Sequence, residues 1–328
     1  MRKHFTTFAY AICFAASVRG EDIEESLRTW GGLEKASLAD LAAGKIVTEC
    51  NASMRFARGI STKAAYFVVA PVGVTADILL NTDPSKDPQR EVYQYESFQA
   101  DDDAAFHSIK LDGQPGPIRK LKEATSSGKG LQLSSAERTR LPKSNTAGAA
   151  QNFWSDLLRD RWRRAITEGD LGSTATYDTR NELRNLLAEE QKVAKHFDVL
   201  LSPLNKLPAS GLNPANHCWY VSNINGTAAV QLGAVYARGV DEQGQVLEVT
   251  YYSSGGYLGS FSLYELTPVT INGRKGTLVW QGSFASAVDL AGNFGLNRKI
   301  ASTLMIRDVE RSIRSFQKSA AAAASAKK

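Results

Sequence analysis

The sequence is short of the residues that carry most recognisable chemistry. Three cysteines and four histidines occur in 328 residues. His4, His107, His196 and His217 fall in no His-Glu-x-x-His or His-x-His arrangement, so their spacing offers no zinc site. There is no Gly-x-Ser-x-Gly elbow, because Gly59-Ile60-Ser61 lacks its closing glycine. Ser126-Ser127-Gly128-Lys129-Gly130 lacks the first glycine and the Lys-Ser/Thr ending of a phosphate-binding loop. Gly256 to Gly259 joins two strand candidates rather than a strand and a helix, which excludes a dinucleotide fingerprint. Asp101-Asp102-Asp103 lacks the glycine and terminal glutamate of a calcium loop and reads as a solvated acidic turn. No catalytic residue, metal ligand or cofactor is assigned from sequence. His217, which opens a strand, is the one histidine placed to serve as a cavity base, and a satisfied core histidine is the plainer reading.

Long hydrophobic runs are also missing. The longest charge-free start, Phe5 to Ala16, is too short to span a bilayer. It follows Arg2, Lys3 and His4 and precedes Ala15, Ala16, Ser17 and Gly20, the layout of a secretory signal peptide over residues 1–20. Cleavage after Ser17 or Gly20 would place the rest of the chain in the periplasm or outside the cell. The small residue that a lipoprotein signal needs before Cys13 is absent. Three of the 39 basic residues lie in this leader and none of the 34 acidic ones, so the balance without it is +2 and no nucleic-acid partner is indicated. Cys50 and Cys218 then remain, either as one disulfide closing a very long loop or as two small buried residues. Asn51-Ala-Ser53 and Asn225-Gly-Thr227 fit the glycosylation pattern, which matters only in a eukaryotic host.

What is present is ordinary globular composition, 43% hydrophobic and 22% charged, enough for one large domain. Residues 22–30 and 37–43 read as short helices, the second with Ser37 as its cap and Gly44 as its stop. Strands are expected at 46–50, 61–71 and 91–98, with a short helix at 74–80. Signals are weak from 83 to 145. Helices follow at 146–169, where Phe153, Trp154, Leu157, Leu158, Trp162 and Ala165 make a wide stripe, and at 179–196. The arginines at 159, 161, 163 and 164 resemble a nucleic-acid or phospholipid face, yet Asp156, Asp160 and Glu168 compensate them. Pro203, Pro208 and Pro214 mark a linker. Five strands are expected at 217–224, 227–238, 246–253, 260–267 and 276–286, joined by Asn225-Gly226, 241–244, Gly255-Gly256 and Asn272-Gly273. Asn-Gly between alternating strands is the strongest short-range hairpin signal. The last element is a helix from Leu296 to about Phe316 with Ile300, Leu304, Val309, Ile313 and Phe316 on one stripe. At 1.5 Å per residue its 21 or so residues make a rod of roughly 30 Å. The Ala-rich tail, 319–328, is expected to be disordered.

Two pieces resemble the START-like family, also called the polyketide cyclase-like or helix-grip superfamily. Ala64-Ala-Tyr-Phe-Val-Val-Ala-Pro71 running into Val74–Leu80 resembles that family's opening strand, Ala-Pro pair and first helix. Thr277-Leu-Val-Trp280 through Phe284, then Gly295 and the helix from Leu296, resembles its last strand and C-terminal helix. The whole layout is similar to a group of exported bacterial proteins. The resemblance covers about half the chain and implies an α+β fold: a curved antiparallel sheet wrapped around a long C-terminal helix, in one domain over 21–318. The helical insertion at about 100–215 is longer than the family's usual pair of short helices.

Alternation places Val230, Leu232, Ala234 and Tyr236 on one side of their strand and Leu247, Val249 and Tyr251 on one side of the next. Phe261, Leu263, Leu278 and Trp280 are candidates to join them. Such a face suits either a packed core or a pocket for an amphiphile. The family resemblance implies the pocket, with Leu232, Tyr236, Val249, Tyr251, Trp280 and Leu304 as its ligand-binding residues. The function expected is an exported, monomeric, non-enzymatic binding protein for a lipid or other apolar molecule. A cyclase- or hydrolase-type enzyme using the same cavity is the alternative, as is an interaction module whose insertion docks a protein or a membrane surface.

Overall fold

The structure is a computed structural model. It describes residues 20–326 apart from 52–53, 82, 88–89, 100–101, 113–114, 175–176, 205–215, 225, 241–242 and 293–295. Residues 1–19 of the expected signal peptide, Asp101, the prolines at 208 and 214, Asn225, Gly295 and the last two lysines lie outside the described residues.

The N-terminal part holds Gly20–Thr29 (α1), Leu38–Ala42 (α2), Val47–Asn51 (β1), Gly59–Val68 (β2), Val72–Asn81 (α3) and Val92–Phe98 (β3). The insertion holds Gly116–Ser127 (α4), Ser135–Thr139 (α5), Ala147–Glu168 (α6), Thr179–Ala188 (α7), Gln191–His196 (α8) and Asp198–Leu201 (α9). Five long strands follow: Asn216–Ile224 (β4), Thr227–Arg238 (β5), Gly244–Ser253 (β6), Tyr257–Ile271 (β7) and Arg274–Ala287 (β8). The helix Leu296–Ala326 (α10) ends the chain.

All eight strands form one antiparallel sheet in the order β1-β2-β8-β7-β6-β5-β4-β3. The expected meander is its centre, and the three earlier strands extend it at both ends. Local chemistry explains the joints. Asn272 and Gly273 both have positive φ, 51° and 73°, and Ile271 pairs with Arg274, a two-residue turn whose twist matches the strands it joins. Thr146 caps α6 through Ala149 N–H at 3.3 Å, and Gly169 closes it in the left-handed conformation. Bulges at Leu232/Gly233 and Tyr257/Gly259 break the ladders locally and bend the sheet. An added Cβ on Gly233 would stand 2.8 Å from the Val249 carbonyl, so this bulge has room only for glycine.

The two faces of the sheet carry different coverings. One face buries Leu232, Tyr236, Leu247, Val249, Tyr251, Phe261, Leu263, Leu278, Trp280 and Phe284 against α1 and the insertion helices. The indoles of Trp154, Trp219 and Trp280 are fully buried there, and each N–H donates: to Thr125 Oγ1 at 2.8 Å, the Ala105 carbonyl at 2.9 Å and the Gly31 carbonyl at 3.0 Å. Truncating a tryptophan so buried costs about 3–5 kcal/mol. Arg161 of α6 pairs with Glu137 at 2.7 Å and lies over the Tyr252 ring at 4.0 Å, both side chains buried. Asp103 pairs with Arg163 and Asp102 caps the turn that follows it, so the acidic turn and the arginines of α6 partly satisfy one another.

The opposite face meets α3 and α10 through Tyr66, Val246, Tyr264, Leu266, Val279, Ile313, Phe316 and Ala320. Two expectations about α10 change. Its seated stripe runs through Ala301, Met305, Val309, Ile313, Phe316, Ala320 and Ala324. Ile300 and Leu304 are instead 54% and 47% exposed. The helix also continues to Ala326, past the predicted start of a disordered tail, because Ala320 is fully buried. Cys50 on β1 and Cys218 on β4 are both free and stand six strand positions apart, far beyond the span of a disulfide.

Candidate functional site

The structure does not bring the six sequence-predicted ligand residues together. Leu232, Tyr236, Val249, Tyr251 and Trp280 do share one face, as alternation requires, but the insertion covers that face. Each is at most 4% exposed. Leu304 projects from α10, which packs on the other face of the sheet. The insertion supplies the wider apolar surface and so takes the apolar face; α10 is left with the polar one. His217 also lies on the insertion side, stacked on Phe98 at 5.8 Å and edge-on to Trp162, with Nδ1 unpartnered among the described residues. Burial pulls its pKa down to about 4, so it is a neutral core residue.

Beneath α10 the strands present a polar row that crosses the sheet. Tyr66 of β2 donates to Gln281 of β8 at 3.5 Å, and Gln281 donates to Ser283 at 3.2 Å. Ser283 faces Ser262 of β7 at 3.1 Å. Tyr264 donates its hydroxyl to Glu248 of β6 at 3.1 Å. Register continues the row: Glu248 stands opposite Val235, Gly233 opposite Cys218, and Tyr220 of β4 opposite both Gln231 and Tyr95. The Tyr220 hydroxyl bonds Thr250 at 2.6 Å. Tyr66 and Tyr264 are buried, whereas Glu248, Thr250, Ser262 and Tyr220 are only half-buried, so water reaches the middle of the row.

Three elements flank this row. α10 closes the β2 side, where Phe316 meets Tyr66 edge-on at 6.2 Å. α3 closes one end against β6, β7 and β8. From the segment before β3, Arg90 reaches across to α10 and donates to Ser312 at 2.9 Å. Burial raises the Glu248 carboxyl above the usual carboxylate range, opposed by the Arg90 charge and by the Tyr264 hydrogen bond. Burial also raises Tyr220, and it raises the Cys218 thiol to about 12, which leaves that thiol protonated and unreactive. At the far end Tyr257 is 39% exposed, yet burial raises its hydroxyl and the Asp308 charge on α10 adds to the rise. Leu304 stands one helical turn before Asp308 and Ile300 one turn before that, so exposed apolar side chains lead up the helix to Asp308.

The arrangement offers hydroxyl, amide and carboxyl groups on a floor, and apolar surface at the opening. No group of three or more His, Cys, Asp or Glu among the described residues could hold a metal. No helix among them is long and apolar enough to cross a membrane. The floor residues escaped sequence reasoning because Glu248, Thr250, Ser262, Tyr264, Gln281 and Ser283 occupy the alternate strand positions, which read as solvent-facing. Comparison with known protein families, with curated proteins and with solved structures finds no match.

Proposed function

We propose that this chain is an exported START-like protein that binds an amphiphilic small molecule in the cleft between its sheet and its C-terminal helix. The observation that carries the reading is the polar row on a wet floor with Tyr257, Ile300 and Leu304 exposed beside its mouth. A polar head reaches Glu248, Tyr264, Tyr220 and Thr250, and an apolar tail lies toward α10. Glu248 and Arg90 are of opposite sign, and the carboxyl is pushed toward its neutral form, so the favoured head is uncharged and bears hydroxyl or carbonyl groups. This differs from the apolar pocket expected on the other face, where Leu232, Tyr236, Val249 and Tyr251 are packed into the core. Native mass spectrometry of the protein incubated with a monoacylglycerol, and separately with the fatty-acid anion of the same chain length, tests the reading. Retention of the monoacylglycerol alone, lost in Leu304→Asp, supports it. Retention of neither, or of both alike, overturns it.

A further inference from the structure

A second concavity lies on the opposite face of the sheet, between α1 and the strands, and the cleft under α10 makes no use of it. It has a volume of about 130 Å³. That is close to the roughly 150 Å³ of an engineered cavity known to hold one benzene ring. Trp30 and Trp280 form one corner, their ring centroids 4.9 Å apart and their planes at 61°. The corner is held in place: His196, itself part of the lining, stacks on Trp30 at 3.8 Å and 7°, and the Trp280 N–H donates to the Gly31 carbonyl. Leu27 and Leu278 add apolar wall.

The lining carries two carboxylates and one histidine, His196, which is already paired with Glu265. Glu265 is 5% exposed and Asp22 stands exposed at the rim; no lysine or arginine lines the cavity. The Glu265 carboxylate is held in place by His196 Nε2 at 3.1 Å, Gln243 Nε2 at 2.7 Å and Gln245 Nε2 at 2.7 Å. An ionised carboxylate has about four lone-pair positions, so about one remains uncommitted. Two indoles and a carboxylate with no competing lysine or arginine are the groups that attract an alkylated ammonium, through ring quadrupole and charge together. A neutral solute of the same shape gains only the apolar walls.

We propose that this cavity is a binding site for a small free organic cation, a methylated amine or quaternary ammonium, recognised by Trp30, Trp280 and Glu265. Calorimetric titration of the full chain with tetramethylammonium chloride at constant ionic strength, beside tert-butanol as its neutral counterpart, tests this. The expected result is saturable binding of the cation, with tert-butanol at least about tenfold weaker, since a desolvated cation–π contact is worth about 2 kcal/mol or more. Glu265→Gln should weaken the cation by about tenfold and leave tert-butanol unchanged, and Trp30→Leu should weaken the cation by about tenfold more than it weakens tert-butanol. Equal binding of the two probes by the wild-type protein, or no saturable binding of the cation, overturns the proposal whether or not either variant folds.

Discussion

Two residues give the fold a pH dependence of opposite sign. His217 is buried against Phe98 and Trp162, and its pKa falls from 6.5 to about 4. Between those values the unfolded chain binds a proton that the folded chain refuses, so stability is lost as pH falls from about 6.5 to about 4. The loss approaches about 3 kcal/mol. His217→Phe removes the titration without stranding a hydrogen bond at Nδ1, and should flatten the acid limb of a plot of unfolding free energy against pH. An unchanged limb would show that other groups govern it. Glu248 works the other way: burial raises its folded pKa above 4.5, so the folded chain holds the proton more tightly and stability falls as pH rises past 4.5. Glu248→Gln should therefore raise Tm at pH 8, with the gain shrinking as pH drops below 4.5. A gain of equal size at both pH values, or a loss at pH 8, would contradict this account of Glu248.

At the scale of elements, α10 shows how a correct helix can be given the wrong stripe. Ile300 and Leu304 each stand one residue, about 100° of helix rotation, before the seated Ala301 and Met305, so they lie off the contact face that continues through Val309 and Ile313. The residues that seat the helix include Ala301, Ala320 and Ala324, whose small side chains permit close approach to the sheet and whose size hid them from a search for large apolar groups. Ala320→Asp should lower Tm by about 2–4 °C or more, since even a frayed last turn forfeits roughly 1 kcal/mol. Ala321→Asp, on the exposed side, should change it by less than about 1 °C. Equal losses would mean the helix does not extend past Phe316 as a packed element. The strands were more legible. Alternation from Val230 to Trp280 marks one face correctly, and Asn272-Gly273 locates the tightest turn. The helix α4 was not legible, because its apolar positions Ile118 and Leu121 are few and its cap, Pro115, makes no side-chain hydrogen bond.

For the whole molecule, the sheet is a partition between two coverings. Period-two patterning says that its faces differ, but it cannot name the element that covers each. The insertion, with Phe153, Trp154, Leu157 and Trp162, packs on the apolar face and leaves open there the corner by Trp30 and Trp280. α10 packs over the β1–β2 side of the other face, and the polar row of Tyr66, Gln281, Tyr264 and Glu248 runs across the sheet from there. Five of the six predicted ligand residues thus lie on the insertion side, Leu304 on α10, and the polar row consists of residues that patterning assigns to solvent. The measurement that tests this division most directly is methyl NMR of the full chain titrated with a monoacylglycerol. The account predicts shifts at Ile300, Leu304 and Ile313 methyls beneath and beside α10, with Leu232, Leu247 and Leu263 on the insertion side unmoved. Shifts confined to Leu232, Leu247 and Leu263, or none at all, would contradict it.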